Sequence, residues 1–134
     1  MKYNIVIFAL LHLFISCSPE KQNSNINKEC SCDKLILDRL YNHFYVENRK
    51  TPYTGMCFKL NNKGDTLEKI NYKKGKVEGI LTTFYKSGKK KSETTFKKNK
   101  YHGDFKEWNE NEVLIFHGTY NDGEYDSTLI DNRR

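Results

Sequence analysis

The side chains of this chain that could do chemistry are thiols and ammonium groups. Of its four cysteines, Cys30 and Cys32 are separated by one residue and Cys57 lies well downstream. Three thiols at that spacing admit a disulfide, free thiols, or a metal or redox site. Cys30 and Cys32 would bridge each other only with strain, so the expected disulfide joins Cys57 to Cys30 or to Cys32. It would staple the N-terminal segment to the chain that follows and leave an odd cysteine. The metal reading lacks a fourth ligand, and no histidine stands at metal-motif spacing. His43, His102 and His117 are scattered. No Gly-x-Ser-x-Gly, His-Glu-x-x-His or phosphate-cradling loop occurs. Glu110 and Glu112 lie at a turn, with no apolar pocket in evidence to shift a pKa. We therefore expect no catalytic residues, no metal and no cofactor.

The ammonium groups are segregated. Residues 59–100 carry 13 lysines against the four acids Asp65, Glu68, Glu78 and Glu93, a net +9. Residues 101–131 carry Lys106 alone against 8 acids, a net −7. Lys73, Lys74, Lys76, Lys89, Lys90, Lys91, Lys97, Lys98 and Lys100 are the candidate anion-binding residues. Lysines at turns also keep sheet edges from pairing with other chains, which is the plainer reading. The functional reading is a basic rim that meets anionic lipid headgroups, a cell-wall polymer or an acidic protein. The opposed charge of the two segments would also favour head-to-tail contact between copies.

The elements that must position these groups follow a double ruler. Gly55, Gly79 and Gly103 stand 24 residues apart. Leu60, Tyr72, Phe84, Phe96, Trp108 and Tyr120 fall at every twelfth residue. Residues 53–128 are therefore expected to be a tandem array of three repeats. Within each half-repeat, apolar and polar residues alternate, as in Met56-x-Phe58-x-Leu60 and Ile80-x-Thr82-x-Phe84. That alternation means strands. The breakers Asn62-Lys63-Gly64-Asp65, Lys74-Gly75, Ser87-Gly88, Lys98-Asn99, Glu110-Asn111 and Asp122-Gly123 are hairpin turns, because they need residues with positive φ. The fold class expected is mainly β: an antiparallel meander of about six strands, too finely punctuated for helices of three turns. The twelve-step residues, including Tyr72, Phe84, Phe96, Trp108 and Tyr120, should then form one ladder across a face. Most of that ladder should be core or half-core.

Residues 30–52 precede the array. Leu37, Leu40, Tyr41 and Phe44 fit a helical stripe, which predicts a short helix near 33–41 packed on the sheet. A strand near 43–47 should follow it. Residues 129–134 form a C-terminal tail.

The N-terminus carries an address. Lys2 precedes a run of 11 mostly apolar residues, Ile5 to Ile15. A membrane span needs about 20 residues, whereas the apolar core of a signal peptide needs roughly 7–15. The run ends Leu13-Phe14-Ile15-Ser16-Cys17, which resembles a bacterial lipobox, with Phe14 where that motif usually has Leu. The resemblance implies a signal peptide over 1–16 and acylation of Cys17. Residues 17–29 are polar and aperiodic, hence a flexible tether. A multiply acylated cysteine would hold the protein firmly on a membrane. The expected location is the cell envelope, at the outer membrane, and export argues against a nucleic-acid partner. Mean hydropathy of −0.83 with 13% aromatic residues fits one small exported domain rather than disorder.

Tyr72-Lys73-Lys74-Gly75-Lys76-Val77-Glu78-Gly79 resembles the MORN-type repeat, in the bacterial variant of the YwqK-family antitoxin group. Phe96-Lys97-Lys98-Asn99-Lys100-Tyr101-His102-Gly103 resembles it too, with Asn for Gly. The third repeat departs from the pattern: Glu112 replaces the hairpin glycine and Ser127 the terminal one. The resemblance implies the hairpin fold and, for His102 before the repeat glycine, a structural role. For function it implies an antitoxin or immunity protein that neutralises a toxin by direct binding, and the signal peptide argues against a cytoplasmic antitoxin. The lipobox, the array and the missing catalytic set point instead to an envelope-anchored scaffold that binds protein, polymer or membrane.

Overall fold

The computed structural model describes residues 29–46 and 50–133. The expected signal peptide, the acylated Cys17 and the tether up to residue 28 lie outside the described residues. The strands are β1 (Glu29–Ser31), β2 (Leu35–Asp38), β3 (His43–Val46), β4 (Gly55–Leu60), β5 (Thr66–Lys73) and β6 (Lys76–Val77). They continue with β7 (Gly79–Phe84), β8 (Lys90–Lys97), β9 (Lys100–Trp108), β10 (Leu114–Asn121) and β11 (Glu124–Asp131). One large sheet has the order β1-β4-β5-β7-β8-β9-β10-β11, with β6 paired to β5. A second sheet is the β2–β3 hairpin. The molecule is thus mainly β, and the large sheet is antiparallel except where β1 runs parallel to β4. β11 continues past the boundary expected at residue 128.

Local chemistry explains the two ends of this meander. At one end Lys74 and Gly75 have φ of 50° and 76°, Lys98 and Asn99 have 51° and 72°, and Asp122 and Gly123 have 52° and 100°. Positive φ at both central residues defines the turn whose twist matches a right-handed strand pair. At the other end the loops are longer. Asn61 N–H donates to the Asp65 carbonyl (2.9 Å) and Gly64 N–H to the Asn61 carbonyl (3.0 Å). The same two bonds recur from Tyr85 to Lys89 with Gly88, and from Asn109 to Val113 with Glu112, at 2.8–3.0 Å. The left-handed residue closing these loops is Gly64, Gly88 and then Glu112, at φ 88°, 82° and 63°.

The single aromatic ladder is corrected. Tyr72 pairs with Gly55 and Phe96 with Gly79, whereas Phe84 pairs with Lys90 and Trp108 with Leu114. Tyr120, paired with Gly103 and Tyr125, joins the first group. The chain reverses every twelve residues, so positions one half-repeat apart sit at opposite ends of the sheet. Only residues a full repeat apart share an end. Tyr72, Phe96 and Tyr120 therefore line the tight-turn end, and Leu60, Phe84 and Trp108 the long-loop end.

The predicted helix near 33–41 is also corrected. Cys32–Lys34 make one 3-10 turn, and the next residues form β2, a turn and β3. The Asp38 carboxylate accepts the Leu40 and Tyr41 N–H groups at 2.9 and 3.3 Å, and Asn42 takes a φ of 51°. These are turn interactions that compete with a helix. Leu40 and Tyr41, placed on the buried stripe by the helical spacing, are 83% and 64% exposed.

This hairpin covers one part of the large sheet. Leu35, Phe44 and Val46 pack against a buried cluster of Tyr53, Cys57 and Tyr72. Phe44 and Tyr53 each meet Tyr72 edge-on, with ring centres 5.0 and 5.9 Å away. Burial, with smaller repulsion from Cys30 and Glu68, pushes the Tyr72 phenol up to about 12. Cys32 and Cys57 form the disulfide, and Cys30 keeps a free thiol although it is the register partner of Cys57. Farther along the sheet, rings cover one another in a single layer. Phe96, Tyr101, Tyr120 and Tyr125 follow in sequence with centre distances of 4.8, 5.2 and 5.3 Å.

Candidate functional site

The tight turns are fixed by the residues around the repeat glycines. Thr54, Glu78 and His102 each precede one of Gly55, Gly79 and Gly103. Their side chains accept the N–H of Lys74 (2.9 Å), Lys98 (2.9 Å) and Asp122 (3.4 Å) respectively. The second turn residues donate in the same rhythm: Gly75 N–H to the Tyr53 carbonyl (2.6 Å), Asn99 to Val77 (3.0 Å) and Gly123 to Tyr101 (2.8 Å). His102 is thus a backbone partner in this fold. Each turn is clamped to the strand entry before it, and the lysines on the turn start from a fixed backbone.

The β2–β3 hairpin reaches two of these turns. Phe44 N–H donates to the Gly75 carbonyl at 2.7 Å, and the Asn99 amide donates to the Asn42 carbonyl at 3.0 Å. Tyr53 N–H donates to the Phe44 carbonyl at 2.8 Å, tying the hairpin to the entry of β4. Gly75 is required here: a Cβ would lie 2.9 Å from the Cβ atoms of both His43 and Pro52. Beside this crossing lies a cavity of about 750 Å³, lined by His43, Thr51, Pro52, Lys73, Lys74, Lys76, Glu78 and Lys98.

The nine candidate lysines separate into groups. Lys73, Lys74, Lys76 and Lys98 converge on this cavity, and none forms an ion pair among the described residues. Lys89, Lys90, Lys91 and Lys100 have partners. Lys100 binds Asp122 at 2.7 Å and Lys90 binds Glu93 at 2.6 Å, with its ammonium 5.0 Å from the Trp108 ring centre. Lys89 reaches the Glu110 carbonyl at 2.9 Å, and Lys91 stands 5.7 Å from the Tyr85 ring centre. Lys97 neighbours Lys98 in sequence but does not line the cavity. The Lys100 ammonium holds the Asp122 carboxyl below its ordinary range.

Histidine 117 meets Asp104 at 3.0 Å on the other part of the sheet, beside the Lys106–Asp104 pair at 3.2 Å. The hydrogen bond from His117, then that from Lys106, lowers the Asp104 pKa. The described residues contain no group of three or more His, Cys, Asp or Glu side chains placed to hold a metal ion. Nor do they include a helix long and apolar enough to cross a membrane.

Sequence reasoning missed His43, Thr51, Pro52 and Glu78 as cavity residues. Glu78 had a signal, its place before a repeat glycine. The other three reach the cavity only because the hairpin folds across the turns. No family model, curated protein or solved structure matches this chain.

Proposed function

We propose that this chain is a non-catalytic scaffold built from MORN-like hairpin repeats, lipid-anchored through Cys17 in a bacterial envelope. Its lysine-bearing turns grip an anionic polymer, lipid surface or acidic protein. One observation carries this reading: Lys73, Lys74 and Lys76 at one hairpin end and Lys98 at the next tight turn line a single open cavity with one carboxylate among them. Like charges held together destabilise a fold unless an anion neutralises them, so such clustering favours a bound partner. The lysine-rich segment and the acidic segment that follows it further restrict the gripping surface to one part of the sheet.

The test has two steps. Fractionation of cells should find the protein in membranes and the Cys17→Ser variant in the soluble fraction; a variant still in membranes removes the lipid anchor from the proposal. The soluble variant should then bind isolated envelopes, with the bound fraction falling as salt rises. Binding that is absent, or indifferent to salt, overturns the scaffold reading.

A further inference from the structure

We infer that the cavity between the β2–β3 hairpin and the two lysine turns is a discrete binding site for a phosphate-bearing ligand. This rests on the anion-binding reading above and narrows it to one site and one ligand chemistry.

Three observations support the assignment. The first is charge without compensation. Elsewhere Lys59, Lys90, Lys100 and Lys106 sit within 3.2 Å of a carboxylate. Around the cavity Glu78 is the one carboxylate in the lining, and the backbone N–H of Lys98 binds it at 2.9 Å. Lys73, Lys74, Lys76 and Lys98 line the cavity with no carboxylate partner among the described residues, and Thr51 and His43 line it beside them.

The second is backbone strain. Lys74 and Lys98 hold φ of 50° and 51°, a region that side chains other than Asn, Asp and Gly enter at a cost. The equivalent third turn has Asp122 there, paired with Lys100. Lysine is thus placed at the less comfortable position in the two turns that face the cavity and is absent from the turn that does not. The strain is a cost that a bound ligand would offset.

The third is the match of shape and donor type. Lysine binds phosphate as a compact point charge, and several lysines around one space can meet several phosphate oxygens at once. A volume of about 750 Å³ exceeds what one phosphate fills and falls in the range of small-ligand sites. Four cations against one carboxylate leave a net +3 around the cavity, suited to a diphosphate or to two neighbouring phosphodiesters. Pro52 provides an apolar wall for the remainder of the ligand.

The test uses the full chain carrying Cys17→Ser, so that acyl chains do not contribute to membrane binding. Inorganic pyrophosphate is titrated by calorimetry. In parallel, phosphatidylcholine vesicles with and without phosphatidylglycerol are pelleted with the protein. The decisive variant is Lys74→Asn with Lys98→Asn, which removes two charges while placing a residue that prefers the left-handed turn. It should melt no lower than the parent, so lost binding cannot be lost folding. The control is Lys63→Gln with Lys86→Gln, at the opposite end of the sheet. We expect saturable pyrophosphate binding with one site, weakened about tenfold or more in the turn variant and unchanged in the control. Co-sedimentation that requires phosphatidylglycerol and is lost in the same variant assigns the phosphate to a lipid headgroup. Pyrophosphate binding without it assigns a soluble or polymeric phosphate. Equal affinity of parent and turn variant overturns the site. So does envelope binding with no pyrophosphate or vesicle binding, an outcome that leaves the broader scaffold reading in place.

Discussion

The side-chain oxygen of Asn99 accepts the Val77 N–H at 2.6 Å, while Asn99's own N–H donates to the Val77 carbonyl at 3.0 Å. One residue at a left-handed turn position thus replaces a strand partner for the short β6, and its amide also holds Asn42 of the hairpin at 3.0 Å. Three structural segments meet at this side chain.

Replacing Asn99 with Ala should therefore cost about 2–4 kcal/mol, from lost part-buried hydrogen bonds and a strained φ. Asn99→Gly should cost less, because it keeps the backbone geometry and loses only the bonds. Urea denaturation of both variants checks the order; equal losses would show that backbone strain contributes nothing.

Gly75→Ala should be among the most damaging single changes. Its φ is +76°, and the added methyl group would meet His43, Pro52 and the Phe44 carbonyl within 3.0 Å. The expected loss is about 2–4 kcal/mol. Hydrogen exchange should show its origin, since the Phe44 amide bonds to the Gly75 carbonyl and should lose protection first.

Glu112→Gly should stabilise. Glu112 occupies the loop position filled by Gly64 and Gly88 in the two preceding long loops, at φ 63°. Its contact with Lys89 is 4.0 Å long and exposed, so little is lost with the carboxylate. A gain of about 1 kcal/mol is expected, read as a higher thermal midpoint.

Tyr72 should make the fold sensitive to alkali. Its phenol is held at about 12, against 10.0 for a free phenol. The unfolded chain therefore ionises first as pH rises. The contribution of this group is complete below pH 10 and is lost as pH approaches 12. Denaturation midpoints measured up that range should fall more steeply in the parent than in Tyr72→Phe. Parallel slopes would assign the alkaline loss to other groups.

Trp108→Ala tests the aromatic end opposite the cavity. Its ring is half-buried under the Lys90 ammonium, and its carbonyl accepts the Tyr85 hydroxyl at 2.8 Å. A loss of about 2 kcal/mol is expected, below that of a fully buried ring. Thermal unfolding measures it; a much larger loss would mean that the ring anchors more of the long-loop end than its exposure suggests.

Strand and turn positions were legible because they are local. Alternation such as Ile80-x-Thr82-x-Phe84 needs only a pleated strand with one more apolar face. Lys74-Gly75 and Asp122-Gly123 need only the steric freedom of φ > 0. The 24-residue spacing of Gly55, Gly79 and Gly103 places each glycine opposite an aromatic residue of the next large strand, Tyr72, Phe96 or Tyr120. Of the candidate lysines, Lys74, Lys89 and Lys98 lie between strands, and the other six lie on the strands that flank the turns.

What the sequence left open was settled by contacts between distant segments. Leu37, Leu40, Tyr41 and Phe44 satisfy a helical stripe, yet the Asp38 turn and the docking of Phe44 on Tyr72 favour a hairpin. Cys30 and Cys32 are equivalent by spacing; the 3-10 turn at Cys32–Lys34 accompanies the bonding of Cys32, with its Cα 5.0 Å from that of Cys57. Which lysines face one cavity depended on where the hairpin crosses the turns, and which aromatics share an end depended on strand reversal. Local sequence determined the strands, turns and charges of this protein. Only tertiary structure decided which of them meet, because a meeting depends on the free energy of packing segments that the sequence keeps apart.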